Sequence, residues 1–305
     1  MGVGKAWLLA TVLALALALS TAVEGFHFDE KDLATEKSLW DLYDRWQNHH
    51  TMRTRDVLEK LKPFDVFKDN VRYIHEFNKM GKPYKLGLNK FGDLTPEEFR
   101  QKYAGYKIGH SALHHEAPKR SQLFSHVNVT DVPPSVDWRT RGAVAPVKNQ
   151  GECGDCWAFS AVGAVEGINH IKTKRLLSLS EQELLDCDTA QNLGCSGGIM
   201  DYAFEFIKNN GITTESNYPY TAVESGACDS DKGRSRATVI DGHESVPSSD
   251  EDSLLKAASQ QPVSVAIESV GRPFQFYSEA RLHLHHLLPL RVSRVLRTLH
   301  ELTGA

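Results

Sequence analysis

The residues most able to do chemistry lie around Cys156, in the run Gln150-Gly-Glu-Cys-Gly-Asp-Cys-Trp. Cys156 follows a glycine-containing loop and begins a stretch with helical patterning. A thiol at a helix N-terminus lies beside unpaired backbone N–H groups and the positive end of the helix dipole, which favour the nucleophilic thiolate. Gln150 can donate a side-chain N–H to the oxyanion that forms when this sulfur attacks a carbonyl. The run therefore predicts thiol-based attack on a carbonyl.

The spacing of Cys153 and Cys156 also fits a second kind of site, a metal or redox Cys-x-x-Cys pair. The sequence offers no second pair of ligands, and a metal pair leaves Gln150 and Trp157 unexplained. We therefore favour the nucleophile and predict neither a metal site nor a cofactor.

The cysteine count and the first residues bear on the cellular compartment. A lone Lys5, the apolar run Ala6–Leu19 and the small residues to Ala22 predict a cleaved signal peptide over residues 1–22. The run is short of the roughly 20 residues that span a bilayer. Five cysteines in an oxidising compartment leave at least one thiol unpaired. Asn128, in Asn-Val-Thr, is a glycosylation sequon and agrees with a secretory route.

Composition limits the classes of partner. The 305 residues carry a formal net charge of −4, so no global positive field draws the chain to nucleic acid. We also expect no membrane partner and a monomer, and the length suffices for about two folding units.

The elements before residue 131 are helical. Apolar residues from Trp40 to Phe77 recur at three- and four-residue spacings and predict an amphipathic helix pair. Thr95-Pro-Glu-Glu predicts a capped helix start. Residues 105–130 lack periodicity and predict an exposed linker, which places a domain boundary near Asp131.

After Val132 the pattern predicts helices followed by strands, which favours an α+β layout. A helix is predicted over Cys156–Lys172, a second opens with a capping box at Ser180–Glu183 and runs into Cys187, and a third covers Met200–Lys208. Alternating residues predict strands at 237–240 and 263–267.

The composition changes after Glu279, where leucine, arginine and histidine dominate. We interpret residues 280–305 as unrelated to the domain that precedes them. The alternative is a short basic amphipathic helix over Val292–Leu302, suited to a membrane surface or a partner.

Several motifs between Val132 and Glu279 carry a resemblance to a known family. They are Asp137-Trp138-Arg139, Pro146-Val-Lys-Asn-Gln-Gly151, Cys153-Gly-Asp-Cys-Trp157, Leu179-Ser-Glu-Gln-Glu-Leu184, Cys195-Ser-Gly-Gly198 and Phe274-Gln-Phe-Tyr277. This region resembles the papain-like cysteine proteases, whose nucleophile signature is Cys-Gly-[Ser/Ala]-Cys-[Trp/Tyr].

The N-terminal helical segment resembles the inhibitory propeptides of the same family. Their Gly-x-Asn-x-Phe-x-Asp motif is matched by Gly87, Asn89, Phe91 and Asp93. Their helix motif is matched at most of its positions, namely Glu59, Phe67, Asn70, Ile74 and Asn78. The region from Phe28 to His50 looks like the plant enzymes that carry an endoplasmic-reticulum retention tail.

The resemblance implies a papain-like, two-lobed α+β fold with a complete helical lobe and a truncated β lobe. Together with the residue patterns, it gives a signal peptide (1–22), an inhibitory prosegment (23–131) with a helical core over about 39–100, a partial peptidase domain (132–279) and the tail (280–305). It implies that Cys156 is the nucleophile and Gln150 the oxyanion donor. Cys153 would pair with Cys195 and Cys187 with Cys228, Gly197 and Gly198 would present backbone to a peptide, and Met200 and Ala266 would line an apolar pocket.

Three departures from the family pattern affect the expected activity. Asp155 replaces the usual Ser or Ala, and a carboxylate beside the nucleophile opposes thiolate formation. Pro63 stands in a predicted helix where the motif has arginine, at a cost of about 3 kcal/mol unless the helix breaks there. In the family, the base histidine lies about 15 residues after the tyrosine that Tyr277 matches, but position 292 of this chain is valine.

The orienting asparagine is also missing, because no asparagine follows Asn217. The tail histidines lie in a segment without the strand pattern needed to aim a base at the thiol, and they are His283, His285, His286 and His300. With most of the β lobe absent, the strands near Val239 and Val265 are expected to lack partners.

We therefore expect the precursor of a cysteine endopeptidase that acts on peptide substrates, inactive in this chain. One alternative is a non-catalytic inhibitor whose prosegment binds related cysteine proteases, and another is a non-functional gene product. The expected location is the secretory pathway, ending outside the cell, in a vacuole or lysosome, or in a compartment derived from the endoplasmic reticulum.

Overall fold

The structure is a computed structural model that describes residues 26–52, 57–104, 124–267, 269, 271–279 and 295–299. The predicted signal peptide, most of the predicted linker and the four tail histidines lie outside these residues. Within the described ranges, no helix is both long and apolar enough to cross a membrane.

The described elements are mostly helical, with short strands. The α-helices are α1 (Glu36–His49), α2 (Val57–Lys79), α3 (Pro96–Tyr103), α4 (Cys156–Thr173), α5 (Glu181–Cys187), α6 (Met200–Asn210), α7 (Ser230–Gly233), α8 (Glu251–Gln260) and α9 (Arg272–Gln275). The strands are β1 (Lys85–Leu86), β2 (Gly242–Ser245), β3 (Ser264–Val265), β4 (Tyr277–Glu279) and β5 (Val295–Leu299). The chain divides into two compact units. One comprises the described residues of Met1–Pro96 and Gly271–Leu282, and the other comprises those of Glu97–Val270 and His283–Ala305.

The first unit contains the predicted amphipathic helix pair, now seen as α1 and α2. Thr35 caps α1 through a reciprocal capping box with Ser38. The apolar face of each helix is buried in one cluster, which includes Leu39, Leu42, Tyr43, Trp46, Phe64, Phe67, Val71, Ile74 and Phe77. The three- and four-residue spacing therefore predicted this pair correctly.

Pro63 lies inside α2, and the helix continues on both sides of it from Val57 to Lys79. The break considered from the sequence is absent. Because proline has no N–H, the helix lacks one backbone hydrogen bond at this turn.

The Gly-x-Asn-x-Phe-x-Asp motif binds the chain segment that includes α9 and β4. β1 pairs antiparallel with β4, and the Gly87 amide donates to the Phe276 carbonyl at 2.8 Å. A Cβ at Gly87 would lie 2.8 Å from Ser278 Oγ, so only glycine allows this approach. The motif therefore brings two backbone segments together.

The side-chain amides of Asn89 and Gln275 stabilise this pairing. Asn89 Nδ2 donates to the Gln275 carbonyl at 2.7 Å. Gln275 Nε2 donates in return to the carbonyls of Phe91, at 3.1 Å, and Leu94, at 2.9 Å. Each amide side chain therefore bonds main-chain carbonyls of the other segment, which fixes the register of the pairing.

The second unit has its core between α4 and α6. The predicted inner face of α4 is buried, at Ala158, Ala161, Val162, Val165 and Ile168. From α6, Ala203, Phe204 and Ile207 join the same cluster. α6 ends at Gly211, whose φ of 75° is one that glycine adopts readily, as the Asn-Gly pair predicted.

The capping box predicted at the start of α5 forms only in part. Ser180 Oγ accepts from the Glu183 amide at 3.0 Å, as expected for a cap. Glu183 does not reach back to the cap, because its Oε2 accepts instead from the Thr213 amide at 2.7 Å. The Ser180 amide donates to the Thr213 carbonyl at 3.1 Å. Thr213, which is distant in sequence, therefore bonds the two groups that would otherwise bond each other in a capping box.

The strand predictions hold in part. Residues 237–240 form no strand and contribute one isolated bridge, between Thr238 and Ile212, so that prediction was wrong. The strand predicted at 263–267 is the shorter β3. β2 was not predicted.

β5 corrects two expectations about the tail. It lies between β2 and β3 and pairs antiparallel with both, so the strand near Val265 has a partner. Residues 295–299 are extended, not helical as in the alternative considered for Val292–Leu302. A backbone ladder requires only extended chain with accessible N–H and C=O groups, so a segment without a clear strand pattern can still pair.

Candidate active site

Cys156 is the first residue of α4, directly after the cap position. Its side chain is partly exposed, and it belongs to neither of the two disulfides. The first N–H groups of a helix have no partner within that helix, so they carry positive potential toward the start of α4. This position favours the thiolate form of a cysteine.

The loop before α4 is held by a disulfide. Cys153 pairs with Cys195, and the Gly154 amide donates to the Cys195 carbonyl at 3.0 Å. A second disulfide joins Cys187 to Cys228. These are the two pairs that the family resemblance implies, and together they leave Cys156 as the odd thiol.

The side-chain amide of Gln150 is fully engaged as a donor. Its Nε2 donates to the Cys153 carbonyl at 2.7 Å and to the Tyr103 carbonyl at 3.2 Å. An amide nitrogen carries two N–H groups, so these two bonds use both. Gln150 can donate to another oxygen only if one of these carbonyls withdraws.

The end of α3 contacts the same loop through side chains. Lys102 Nζ lies 3.3 Å from Glu152 Oε2, and the Tyr103 hydroxyl donates to Glu152 Oε1 at 3.5 Å. Both contacts are exposed, so they contribute little stability individually. They lie on the same residues whose backbone reaches Gln150, through the Tyr103 carbonyl. Nothing in the sequence had singled out Tyr103.

Asp155 occupies the cap position of α4, but its side chain forms no capping hydrogen bond. It is completely buried, and Oδ2 accepts from the Tyr220 hydroxyl at 2.7 Å. The same hydroxyl lies 2.8 Å from the Gln150 carbonyl. Burial raises the pKa of Asp155 to about 7, and the hydrogen bond from Tyr220 acts in the opposite direction. Tyr220 is a neighbour that sequence analysis missed, since 65 residues separate the pair.

Gly197 and Gly198 lie in a loop fixed by Asn192. Asn192 Oδ1 accepts from the Ile199 amide at 2.8 Å, and its Nδ2 donates to Asp188 Oδ2 at 2.6 Å. A Cβ at Gly198 would come within 2.7 Å of the Trp157 ring, so glycine is needed for the loop to lie against α4. The structure thus brings this loop beside the residue that follows Cys156.

Met200 and Ala266 belong to the same buried cluster as Trp157, with 1% and 5% of their surface exposed. Of the residues singled out from the sequence, the structure joins Cys153 to Cys195 and places Gly198 against the Trp157 ring, while Met200 and Ala266 share a buried cluster with Trp157. In the part of the chain that is described, no group of three or more His, Cys, Asp or Glu side chains could hold a metal ion.

Two protein-family models match the chain. Residues 132–287 match the papain family cysteine protease model, and residues 43–99 match the cathepsin propeptide inhibitor domain (I29). The first match extends beyond Glu279, the limit of the resemblance seen in the sequence.

Curated relatives share more than half of the aligned residues. Vignain from Phaseolus vulgaris is 58% identical over 273 residues, which cover 89% of this chain and 75% of the relative. The KDEL-tailed cysteine endopeptidase CEP2 from Arabidopsis thaliana is 52% identical over 272 residues, covering 88% and 74%.

Solved proforms share the fold. The proform of the ragweed pollen allergen Amb a 11, a cysteine protease, is 46% identical with a TM-score of 0.77, over 84% of this chain and 78% of that one. The recombinant stem bromelain precursor is 36% identical with a TM-score of 0.68, over 80% and 76%. The fold is thus the α+β papain-like fold, preceded by a helical prosegment. The chain belongs to the papain family of cysteine proteases and is, by family, the precursor of a cysteine-type endopeptidase.

Proposed function

We propose that Cys156 is the nucleophile of this chain and Gln150 its oxyanion donor, with peptides as substrates. The observation that carries the proposal is the place of Cys156 at the start of α4, outside both disulfides and directly after the loop that holds Gln150. In the parent reaction the Cys156 thiolate adds to a peptide carbonyl carbon. The C–N bond then breaks, the amine leaves with a proton, and water hydrolyses the thioester.

The prosegment opposes this reaction at the oxyanion donor. The Tyr103 carbonyl accepts one of the two Gln150 N–H groups, and the Cys153 carbonyl accepts the other. An oxyanion would need the N–H now bonded to Tyr103, because Cys153 belongs to the loop itself. We infer that α3 must withdraw before Gln150 can stabilise a tetrahedral intermediate.

We further propose that a polypeptide of these 305 residues does not turn over peptides. A base must take the thiol proton and return it to the leaving amine, and the position that matches the family's histidine is Val292. Loss of the base from a cooperating catalytic unit can cost nearly as much as loss of the whole unit. The nucleophile can remain reactive toward alkylating reagents, which need no proton donor for their leaving group.

The test compares alkylation with turnover in the same purified protein at acidic pH. We expect iodoacetamide to label Cys156 stoichiometrically, as read by mass spectrometry. We also expect cleavage of a peptide with an apolar residue two before the scissile bond to stay at the level of a Cys156→Ala variant. Turnover clearly above that control would show that another group serves as the base. Labelling of a different cysteine would remove Cys156 as the nucleophile.

We infer a secretory route for this chain, supported by its two disulfides and by its KDEL-tailed relatives. The Asn128 sequon is compatible with this route, because Asn128 and Thr130 are both exposed in the segment after Phe124.

Expression in a secreting host is expected to add a glycan at Asn128. Peptide N-glycosidase treatment should then lower the mass of the wild type and leave an Asn128→Gln variant unchanged. Equal masses before and after treatment of the wild type would show that the sequon is unused.

A further inference from the structure

Asp155 is a buried carboxyl group that the proposed reaction does not use. It immediately precedes Cys156 in the chain, at the cap of α4, yet it accepts no capping hydrogen bond from the helix. Its Oδ1 is buried and has no hydrogen-bond partner within the described residues, while Oδ2 accepts from Tyr220. An aspartate at the cap position usually accepts hydrogen bonds from helix N–H groups, and the Asp155 side chain accepts none.

The surroundings of Asp155 make its ionisation costly. The contacts on the carboxyl come from the Tyr220 hydroxyl, and Tyr220 in turn stacks edge-on with Phe159 and lies next to the Gln150 carbonyl. None of the ion pairs found among the described residues includes Asp155. A buried carboxylate without a cation favours its neutral form.

The charged groups that shift the pKa of Tyr220 are acidic. Burial, then Asp155 itself, and then Glu181 and Glu215 raise the pKa of Tyr220, so the tyrosine remains a neutral donor. Burial raises the pKa of Asp155 to about 7, which places its ionisation within the physiological range. The neighbouring residue, Cys156, supplies the other ionisable group.

We propose that Asp155 is a proton-controlled positioning residue that sets the nucleophilicity of Cys156. While the carboxyl is neutral, the positive end of α4 favours the Cys156 thiolate without opposition. When the carboxyl ionises, the residue immediately before Cys156 carries a negative charge, which disfavours the thiolate. The inference rests on the proposed function, in which Cys156 is the reactive thiol.

Two coupled ionisations have a recognisable signature. As the pH rises through the range in which Asp155 loses its proton, the thiol becomes harder to ionise, so its titration spreads over more than one step. The wild-type profile of alkylation rate against pH should therefore be shallower than that of a single group. Replacing Asp155 by asparagine should restore a single, steeper transition.

The experiment measures the rate of Cys156 alkylation by iodoacetamide between pH 4 and pH 10 on the full chain with its disulfides intact. For Asp155→Asn we expect the midpoint to move down by about one pH unit. Tyr220→Phe removes the donor that favours the ionised carboxyl, so its midpoint should move in the same direction. Asp252→Asn is the matched control, because Asp252 is exposed on α8 and lies 3.8 Å from Lys256. Its profile should overlay the wild type.

Overlapping profiles for Asp155→Asn and wild type would overturn the inference and leave Cys156 as nucleophile intact. A move of the Tyr220→Phe midpoint to higher pH would also overturn it. If Cys156 reacts at no pH in either the wild type or Asp155→Asn, the proposed nucleophile and this inference both fail. Should Asp155→Asn not fold, as judged by its thermal transition, the Tyr220→Phe profile decides.

Discussion

Replacement of Lys148 by methionine is expected to lower the free energy of unfolding by about 3–5 kcal/mol. The Lys148 ammonium lies 2.7 Å from Glu181 Oε1 and 2.9 Å from Glu166 Oε1. It also donates to the Leu179 carbonyl at 2.8 Å. Methionine preserves much of the apolar stem and removes all three interactions, so the change measures the contribution of the ammonium group.

The expected loss is large because the two carboxyl groups cannot reach water. The side chains of Glu166 and Glu181 are only 4% and 2% exposed. Removing the lysine leaves both carboxyl groups buried without a cation, which costs more than the intact ion cluster contributes to stability. Glu166 Oε1 would keep one donor, the Leu179 amide at 2.9 Å.

The effect should depend on pH in a definite direction. Burial raises the pKa of Glu181 from 4.5 to about 7, although Lys148 acts to lower it. The folded state therefore binds the Glu181 proton more tightly than the unfolded state, and this contribution to stability is lost as pH rises from about 4.5 through about 7. Without Lys148 the carboxylate is still less favourable, so we expect Lys148→Met to destabilise more at pH 8 than at pH 5.

Urea unfolding at pH 5 and pH 8, followed by tryptophan fluorescence, measures both effects. Lys208→Met is the control, because Lys208 is exposed and its nearest acidic partner, Glu205, is 3.6 Å away. It should change the unfolding free energy by about 0.5 kcal/mol or less. Equal losses for the two variants, or a larger loss at pH 5 for Lys148→Met, would contradict the assigned cluster.

Local patterns predicted the parts of the fold that local interactions determine. The apolar spacing gave the pairing face of α1 and α2 and the inner face of α4, because a helix repeats every 3.6 residues whatever lies around it. The glycine after Asn210 marked the end of α6 for the same kind of reason. The cysteine signature placed Cys156 at the start of a helix.

The features that the sequence did not predict depend on interactions between residues distant in sequence. Residues 237–240 alternate as a strand does, but a strand also needs a partner, and only Thr238 finds one. Glu183 had the right spacing for a capping box, yet it bonds to the Thr213 amide, 30 residues away. Asp155 was recognised as unusual. Its burial against Tyr220 follows only from tertiary contacts. That burial raises the pKa of Asp155 to about 7, so the carboxyl beside Cys156 titrates near neutral pH.

Replacement of Trp46 by alanine is expected to destabilise the first unit by about 3–5 kcal/mol. The Trp46 side chain is fully buried, and its ring lies 5.6 Å from Tyr43 and 5.1 Å from Phe67, centroid to centroid. Its Nε1 donates to the Asn89 carbonyl at 2.9 Å. Alanine would leave a cavity between α1 and α2 and an unsatisfied carbonyl at Asn89.

The loss should spread from the helices to the strand pairing of the motif. Asn89 links the helix pair to the strand pairing. Its carbonyl accepts from Trp46, and its side chain donates to the Gln275 carbonyl at 2.7 Å. When the Asn89 backbone is released, the nearby Gly87 amide, which donates to Phe276, should exchange with solvent faster. Hydrogen exchange read at Gly87 measures this directly.

Two variants separate packing from the hydrogen bond. Trp46→Phe keeps most of the ring and loses the N–H, so we expect a cost of about 1–2 kcal/mol with faster exchange at Gly87. Leu61→Ala, on the exposed side of α2, should leave both quantities near wild type. Unchanged exchange at Gly87 in Trp46→Ala, despite a lower unfolding free energy, would mean that the β1–β4 pairing holds without the helix pair. In that case the backbone bonds of Gly87 and the amide exchange between Asn89 and Gln275 would be sufficient to bind the β4 segment.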